Sequence, residues 1–312
     1  PFNAAVSTIL WLTRRGKKIA MDWDDLWGDG YGLYLGSFIN KILKAQETWL
    51  PKIIHPEFMT TASHELYNRS LKIGLPMERV HILINGCDPK KISAHSRSDA
   101  RHNLSFDSES TYVISIGNTY SEKSFNQMLQ AFRLALSKNS KIKLLLLGDF
   151  SKFGTLGKII ENIKTENSDL FAKSIITPGL VSLKTMNMYL DASDFAILPM
   201  EDTPIDHARF PIRFGDYLSA SKLIISNAVG EIARILNEEK IGLVSSPEDA
   251  QAFAQNILKA AEHMKTDNNF LFKMQQIQTK YSWKTLSIKL DTLYNKSLGT
   301  QYDETVEIKR AA

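Results

Sequence analysis

A glycine followed closely by a lysine opens the most informative part of the sequence. In Ser115-Ile116-Gly117-Asn118-Thr119-Tyr120-Ser121-Glu122-Lys123, an apolar run enters glycine, crosses a short polar loop and meets a lysine where a helix begins. Glycine lets the backbone approach a ligand closely. A helix N-terminus offers free N–H groups and positive potential, and Lys123 adds a full charge. This set suits a diphosphate, although a plain strand-to-helix turn with a solvated lysine is the commoner explanation of so short a motif. Gly148-Asp149-Phe150 follows the most apolar run in the chain, where an open α/β sheet would bind ligands at its strand ends. As a third place, Pro199–Thr203 leads into His207-Ala208-Arg209-Phe210-Pro211-Ile212-Arg213-Phe214-Gly215-Asp216-Tyr217. Pro211 fits a first helical position, which sets Arg213 in the first turn and Asp216 one turn on. Cations there oppose the helix dipole, so Arg209 and Arg213 would be eased by an anionic ligand or by plain Arg–Asp surface pairs. Asp216 could accept hydrogen bonds from a ribose diol. Finally, Ser226–Ile232 carries Gly230 and Glu231 at another helix start, where Glu231 is also simply a favourable first-turn charge.

An unusual acidic segment lies further upstream. Asp22-Trp23-Asp24-Asp25-Leu26-Trp27-Gly28-Asp29-Gly30 brings four aspartates and two tryptophans to a predicted strand end. Aromatic rings stack on sugar C–H faces and carboxylates accept hydroxyl hydrogen bonds, so Trp23, Asp24 and Asp25 are candidate acceptor contacts. An acidic turn with both tryptophans in the core competes closely, and an Asp22-x-Asp24 metal pair is a weaker rival. His64 and His81 read as structural or surface residues.

Short apolar runs alternating with amphipathic stretches must position these groups, which is the signature of parallel α/β architecture. Expected strands are Lys18–Asp22, Phe58–Ala62, Val80–Ile84, Tyr112–Ile116, Lys143–Leu147, Ser174–Thr177, Phe195–Leu198, Leu223–Ser226 and Gly242–Val244. Helical patterns cover Ser63–Lys72, Glu122–Ser137, Leu183–Ala192, Arg213–Ala220 and Glu248–His263. Asp88–Asp99 is polar, lacks periodicity and reads as a linker. The series before it has about three strands where a complete Rossmann-like domain has about six, so the first domain is expected to be incomplete. The opening Pro1 agrees with a natural start further upstream. The expected division is 1–95, 96–283, a helix over 284–298 returning to the first domain, and a polar tail over 299–312.

The 312 residues suffice for two domains, and 43% hydrophobic with 23% charged residues is ordinary globular composition. The net charge of +4 is scattered, with no nucleic-acid arm, and biases the chain toward anionic ligands or an anionic membrane face. Cys87 stands alone and favours a reducing, cytoplasmic compartment. No apolar stretch approaches the roughly 18 residues needed to span a bilayer. Ala4–Leu12 has its charges after the apolar run, unlike a signal peptide. Leu33–Leu50 mixes apolar and basic positions at helical spacing, which suits peripheral membrane contact, although core packing is the commoner cause.

The order and spacing of these places resemble the retaining glycosyltransferases of family four, with the two-domain GT-B fold. Gly117 and Lys123 match the family's Gly-Arg-x-x-x-x-Lys. Leu190–Pro199 looks like "ylxxaDvfvlP", Pro211–Ala220 like "PxKlxEYlAaG", and Leu223–Glu231 like "PVVatxxGgxxE". Upstream, Thr60–Leu66 is similar to "vtaaSxxL" and Ile84–Asp88 to "ipNGvD". The resemblance covers about Lys18 to His263. It implies two Rossmann-like domains with parallel sheets facing a cleft, and transfer of a sugar from a nucleoside-diphosphate sugar to a hydroxyl acceptor with retention, without cofactor or metal. Lys123 would stabilise the departing diphosphate, Asp216 would hold the ribose, and Gly179–Val181 would lie near the base. Gly117, Asn118, Asp149, Gly230 and Glu231 complete the implied donor set. Trp23 or Asp24 falls where the family usually has a histidine near the reacting sugar. Asn118 replaces the usual second phosphate-binding arginine and Ser124 the usual glycine. Ala208 replaces the first acidic residue of a paired motif, so Arg209 or Arg213 is a candidate for the missing positive charge. The acceptor would be a glycan, a lipid-linked or a small molecule in cell-envelope or glycoconjugate synthesis at the inner membrane face. An epimerase of the same fold and a non-catalytic nucleotide-sugar- or glycan-binding module are the alternatives.

Overall fold

The computed structural model describes residues 12, 15–28, 36–92, 95–117, 121–150, 154–165, 170–263 and 268–299. All nine expected strands are present, with ends shifted by no more than two residues. The chain divides into two compact units. One comprises the described residues up to Gly86, Thr203–Phe210 and those from Tyr281 onward; the other comprises Cys87–Asp202 and Pro211–Lys280.

The first unit holds a parallel sheet of β1 (Ala20–Trp23), β2 (Phe58–Thr61) and β3 (Val80–Ile82), in that order. Parallel neighbours need crossover connections, supplied here by the helices Ser37–Ile54 and His64–Ile73. The second of these is cleanly bounded. The Ser63 hydroxyl accepts the Leu66 N–H at 3.2 Å at its start, and Gly74 ends it at φ +104°, a conformation natural to glycine. The helix Trp283–Leu298 packs against the same sheet, with Tyr294 edge-on to Phe58 at 5.1 Å between ring centroids. Gly86 permits this approach, since a β-carbon there would lie 2.8 Å from the Trp283 ring. Thr203–Phe210 belongs to this unit through the Ser63 hydroxyl, which donates to the Ala208 carbonyl at 2.5 Å, and Asn85 Nδ2, which donates to the Phe210 carbonyl at 2.9 Å.

In the second unit, β4 (Thr111–Ile116), β5 (Ile142–Leu147), β6 (Ile175–Gly179), β7 (Phe195–Leu198), β8 (Leu223–Asn227) and β9 (Gly242–Ser245) form one parallel sheet, ordered β6-β5-β4-β7-β8-β9. The chain winds outward from β4, then returns to its other side through β7. The resulting switch point lies between β4 and β7, where open α/β sheets take ligands at the C-terminal strand ends. Phe125, Met128, Leu129, Phe132, Ala135 and Leu136 form a buried helical stripe on Glu122–Lys138 against this sheet.

The opposite, N-terminal end of the sheet is closed by buried charge. Asp194, just before β7, accepts Arg101 Nη2 at 2.6 Å and the Tyr112 N–H at 2.7 Å, with Arg97 Nη1 at 3.1 Å. Lys222, just before β8, donates from Nζ to the Ser193 carbonyl at 2.7 Å. Burial first, then the nearby Arg97, pushes the Lys222 ammonium down to about 7.

The expected linker is corrected by these contacts. Cys87 Sγ donates to the Gln278 carbonyl at 3.4 Å and the Asp88 N–H donates to Ser219 Oγ at 2.9 Å. Pro89–Ile92 and Arg97–Asn103 are helical, the latter tied by its arginines to Asp194. The boundary therefore falls at Gly86/Cys87 rather than 95/96. Pro211 caps the next helix rather than opening it; the helix runs Ile212–Ser219.

Candidate functional site

The predicted phosphate loop sits at the switch point. β4 is buried along its length and ends at Gly117, whose N–H donates to the Leu147 carbonyl at 2.9 Å and whose φ is +146°. Asn118 lies outside the described residues. Ser121 caps the next helix through the Ser124 N–H at 3.0 Å, so Ser124, where the family has glycine, is itself part of the cap and is buried. Lys123 then stands in the first turn with its ammonium 2.5 Å from Glu248 and 4.0 Å from Glu201. The hydrogen bond to Glu248 holds its pKa above the ordinary lysine value, reinforced by the fields of Glu248, Glu201 and Asp202. A lysine fixed as a cation at a strand end can meet an incoming diphosphate.

Neighbouring strand ends supply the rest of the candidate donor set. Gly148 (φ +156°) donates its N–H to the Gly179 carbonyl at 3.1 Å, which aligns Asp149 beside the β6 exit. Gly179 (φ +79°) opens the turn carrying Leu180 and Val181. Leu180 and Leu183 are 77% and 61% exposed, an apolar ledge beside the partly buried Val181. Arg213 Nη1 bonds Asp216 Oδ2 at 2.8 Å, one turn along their shared helix. Gly230 takes φ +56° at its helix start, whereas Glu231 is 2% exposed and held by Arg234 of the same helix. Glu231 is thus the first-turn carboxylate of its helix, paired with Arg234 one turn on.

The structure separates the two candidate arginines. Arg213 stands in the second unit with Asp216, while Arg209 stands in the first with Asp206 at 2.8 Å. The Arg209–Asp206 pair is ionic rather than an aligned hydrogen bond, because its Nε–H has no hydrogen-bond acceptor. Asp216 thus stabilises Arg213 against the dipole of its helix, whereas Arg209 stands at the C-terminal cap of the helix Pro204–Ala208, where a cation is favoured.

In the first unit, Trp23 is 8% exposed and its Nε1 donates to the Asp25 carbonyl at 3.1 Å. Its ring is a core element, which corrects its candidacy as a sugar-stacking surface. Asp22 accepts the Thr60 hydroxyl at 2.5 Å. Burial raises the Asp24 carboxyl, followed by Asp25 and Asp22; burial also raises Asp25, opposed by Arg209. A cavity of about 440 Å³ opens beside them, lined by Asp22, Asp24, Thr60, Asn85, Trp283 and Tyr294 among others. Trp283, 47% exposed, was not singled out by sequence because its helix is remote in the chain. Among the described residues no group of three or more His, Cys, Asp or Glu side chains is placed to hold a metal, so the Asp22-x-Asp24 metal pair finds no third ligand there. No described helix is long and apolar enough to cross a membrane.

A doubly wound parallel sheet with a lysine-bearing loop at its switch point, joined to a second parallel sheet, defines the GT-B class. The chain belongs to the glycosyl transferases group 1 family, whose profile matches residues 96–272, more than half of its length. Sucrose-phosphate synthase from Thermosynechococcus elongatus is similar in structure at a TM-score of 0.69, with 15% identity over 93% of this chain and 70% of that one. Anabaena HepE in complex with UDP gives 0.72, with 13% identity over 94% and 76%. A glycosyltransferase from Rickettsia africae gives 0.71, with 13% identity over 95% and 81%. No curated protein matches the chain.

Proposed function

We propose that this glycosyltransferase moves a sugar from a nucleoside-diphosphate sugar to a hydroxyl acceptor with retention of anomeric configuration. The carrying observation is Lys123, a cation at a helix start directly beyond the Gly117 turn of β4. As the donor's glycosidic bond breaks, charge builds on the leaving diphosphate. Lys123 supplies a preformed counter-charge there, and the free N–H groups of its helix add to it. Asp216 accepts the ribose hydroxyls and the Leu180–Leu183 ledge receives the flat base. Arg213, bonded to Asp216, orients that carboxylate and adds positive potential.

HepE also crystallised with UDP-glucose, which makes UDP-sugars the first donors to test. On the acceptor side, Asp24 and Asp25 take sugar hydroxyls and Trp283 provides the stacking ring. Phe38, Ile42, Trp49 and Ile53 are exposed on a helix that also carries Lys41, Lys44 and Lys52, which supports an acceptor met at an anionic membrane surface in glycoconjugate synthesis. The test is turnover of a UDP-sugar panel with glycan and lipid-linked acceptors, reading the product's anomeric configuration by NMR. Wild-type transfer with retention, reduced at least a hundredfold by Lys123→Ala, supports the proposal. Complete turnover without acceptor would indicate an epimerase instead, and saturable donor binding without transfer or hydrolysis a binding module.

A further inference from the structure

The strands at the switch point do not stay paired to their ends. β4 and β5 keep register from Thr111↔Ile142 to Ile116↔Leu147, whereas β4 and β7 pair only at Val113↔Phe195 and Ile114↔Ala196. Beyond Ile114 two hydroxyls replace the ladder. Ser115 Oγ donates to the Ile197 carbonyl at 3.0 Å. The Ile116 N–H donates to the Tyr217 hydroxyl at 2.7 Å, and that hydroxyl points on to the Ile197 carbonyl at 3.4 Å. A phenol has one proton to give and lone pairs to accept with, so a single oxygen serves both strands. Tyr217 is fully buried, and it rides on the helix that carries Arg213 and Asp216.

A phenylalanine would fill nearly the same volume. The hydroxyl is what the Ile116 N–H requires, since a buried N–H without a partner is costly. The Tyr217 oxygen thus stands between β4 and β7 where their direct ladder has stopped. The chain leaves this bond and enters the Gly117 turn at the next residue.

We propose that Tyr217 is a positioning residue for donor binding: its hydroxyl stands between β4 and β7 and thereby sets the direction in which β4 delivers Gly117 to the donor diphosphate. This rests on the nucleotide-sugar reading of the site. One helix then carries both the ribose carboxylate Asp216 and the hydroxyl that holds the end of β4.

Tyr217→Phe removes the hydroxyl and keeps the ring, while Ser115→Ala removes the neighbouring bridge and leaves the Ile116 N–H bonded. The first readout is amide exchange at Ile116 and Gly117, normalised to β5 amides. Exchange at least tenfold faster in Tyr217→Phe, with little change in Ser115→Ala, is expected. Secondly, calorimetry compares UDP with UMP. A hydroxyl that aims Gly117 at the diphosphate predicts that the UDP-to-UMP affinity ratio falls about tenfold in Tyr217→Phe and holds in Ser115→Ala; general loosening would weaken both nucleotides alike. An unchanged ratio in Tyr217→Phe, with the wild type binding both nucleotides, overturns the positioning role alone. If Tyr217→Phe does not fold, Ser115→Ala decides: a ratio that falls there too places the effect in the strand pair at large and overturns the role of Tyr217. Absence of UDP and UMP binding by the wild type overturns the donor reading, and the positioning role with it.

Discussion

Lys222 offers a quantitative test of how the donor unit is held together. Its ammonium is buried at the N-terminal end of the sheet, against the Ser193 carbonyl, and burial lowers its pKa from 10.5 to about 7. Between those values the unfolded chain binds a proton that the folded protein does not. Stability therefore rises with pH across this window and falls as pH drops through it. From about pH 7.5 to about pH 9.5 the gain from this one group is on the order of 2 to 3 kcal/mol, since each pKa unit is worth roughly 1.4 kcal/mol. Lys222→Met abolishes that gain. At about pH 7.5 the variant should lie within about 2 kcal/mol of wild type, because removing the cost of burying the lysine as a neutral amine offsets losing the hydrogen bond to Ser193. Urea unfolding followed by circular dichroism at both pH values measures the slope. All five tryptophans, at positions 11, 23, 27, 49 and 283, fall outside Cys87–Asp202 and Pro211–Lys280, so parallel fluorescence isolates the other unit's transition. Equal pH slopes in wild type and Lys222→Met would refute the reasoning, since Lys222 would then be charged throughout in the folded state.

Three further outcomes are expected. Gly242→Ala should destabilise the donor unit by about 3 kcal/mol in the same urea assay, because its β-carbon would sit 2.2 Å from the Ile224 carbonyl oxygen and 2.7 Å from Leu236. Glu248→Gln frees Lys123 from its carboxylate partner and should tighten UDP binding about threefold at low salt in calorimetry, the gain shrinking as salt is added. Burial raises the Asp25 carboxyl, so its contribution to stability is present below the ordinary carboxylate pKa and is lost as pH rises through the raised value. Asp25→Asn should flatten that loss in tryptophan-monitored unfolding, and a fall as steep as the wild type's would count against the burial of this carboxyl.

Strands were legible because buried parallel strands are continuous apolar runs, and Leu144–Leu147 could hardly be anything else. The segment after Gly86 was misread for a related reason. Arg97–Asn103 is held by ion pairs to a residue far along the chain, and charged residues give no apolar period to read. Lys222 and Asp194 were invisible as core residues on the same account, since isolated charges read as surface. At the candidate site, the Gly117–Lys123 loop was readable from local order alone. Trp23 misled because local chemistry cannot tell a ring facing a ligand from one facing the core. Tyr217 lies inside a motif whose sequence gives its neighbours but not its role, which depends on two strands far from it in the chain. Arg209 and Arg213 are close in sequence yet fall in different units, a division that no local pattern announces.

Because the smaller sheet is completed by the helix Trp283–Leu298, its folding is tied to the direction of synthesis. Roughly 200 residues separate Gly86 from that helix, about 10 to 40 s of translation at ribosomal rates. During that interval the other unit can emerge and close on itself, while the Phe58 face still lacks Tyr294. A nascent chain would thus depend on chaperones for the Ala20–Gly86 segment, and a premature stop just before Tyr281 would spare the Cys87–Lys280 sheet while leaving the smaller one unfinished.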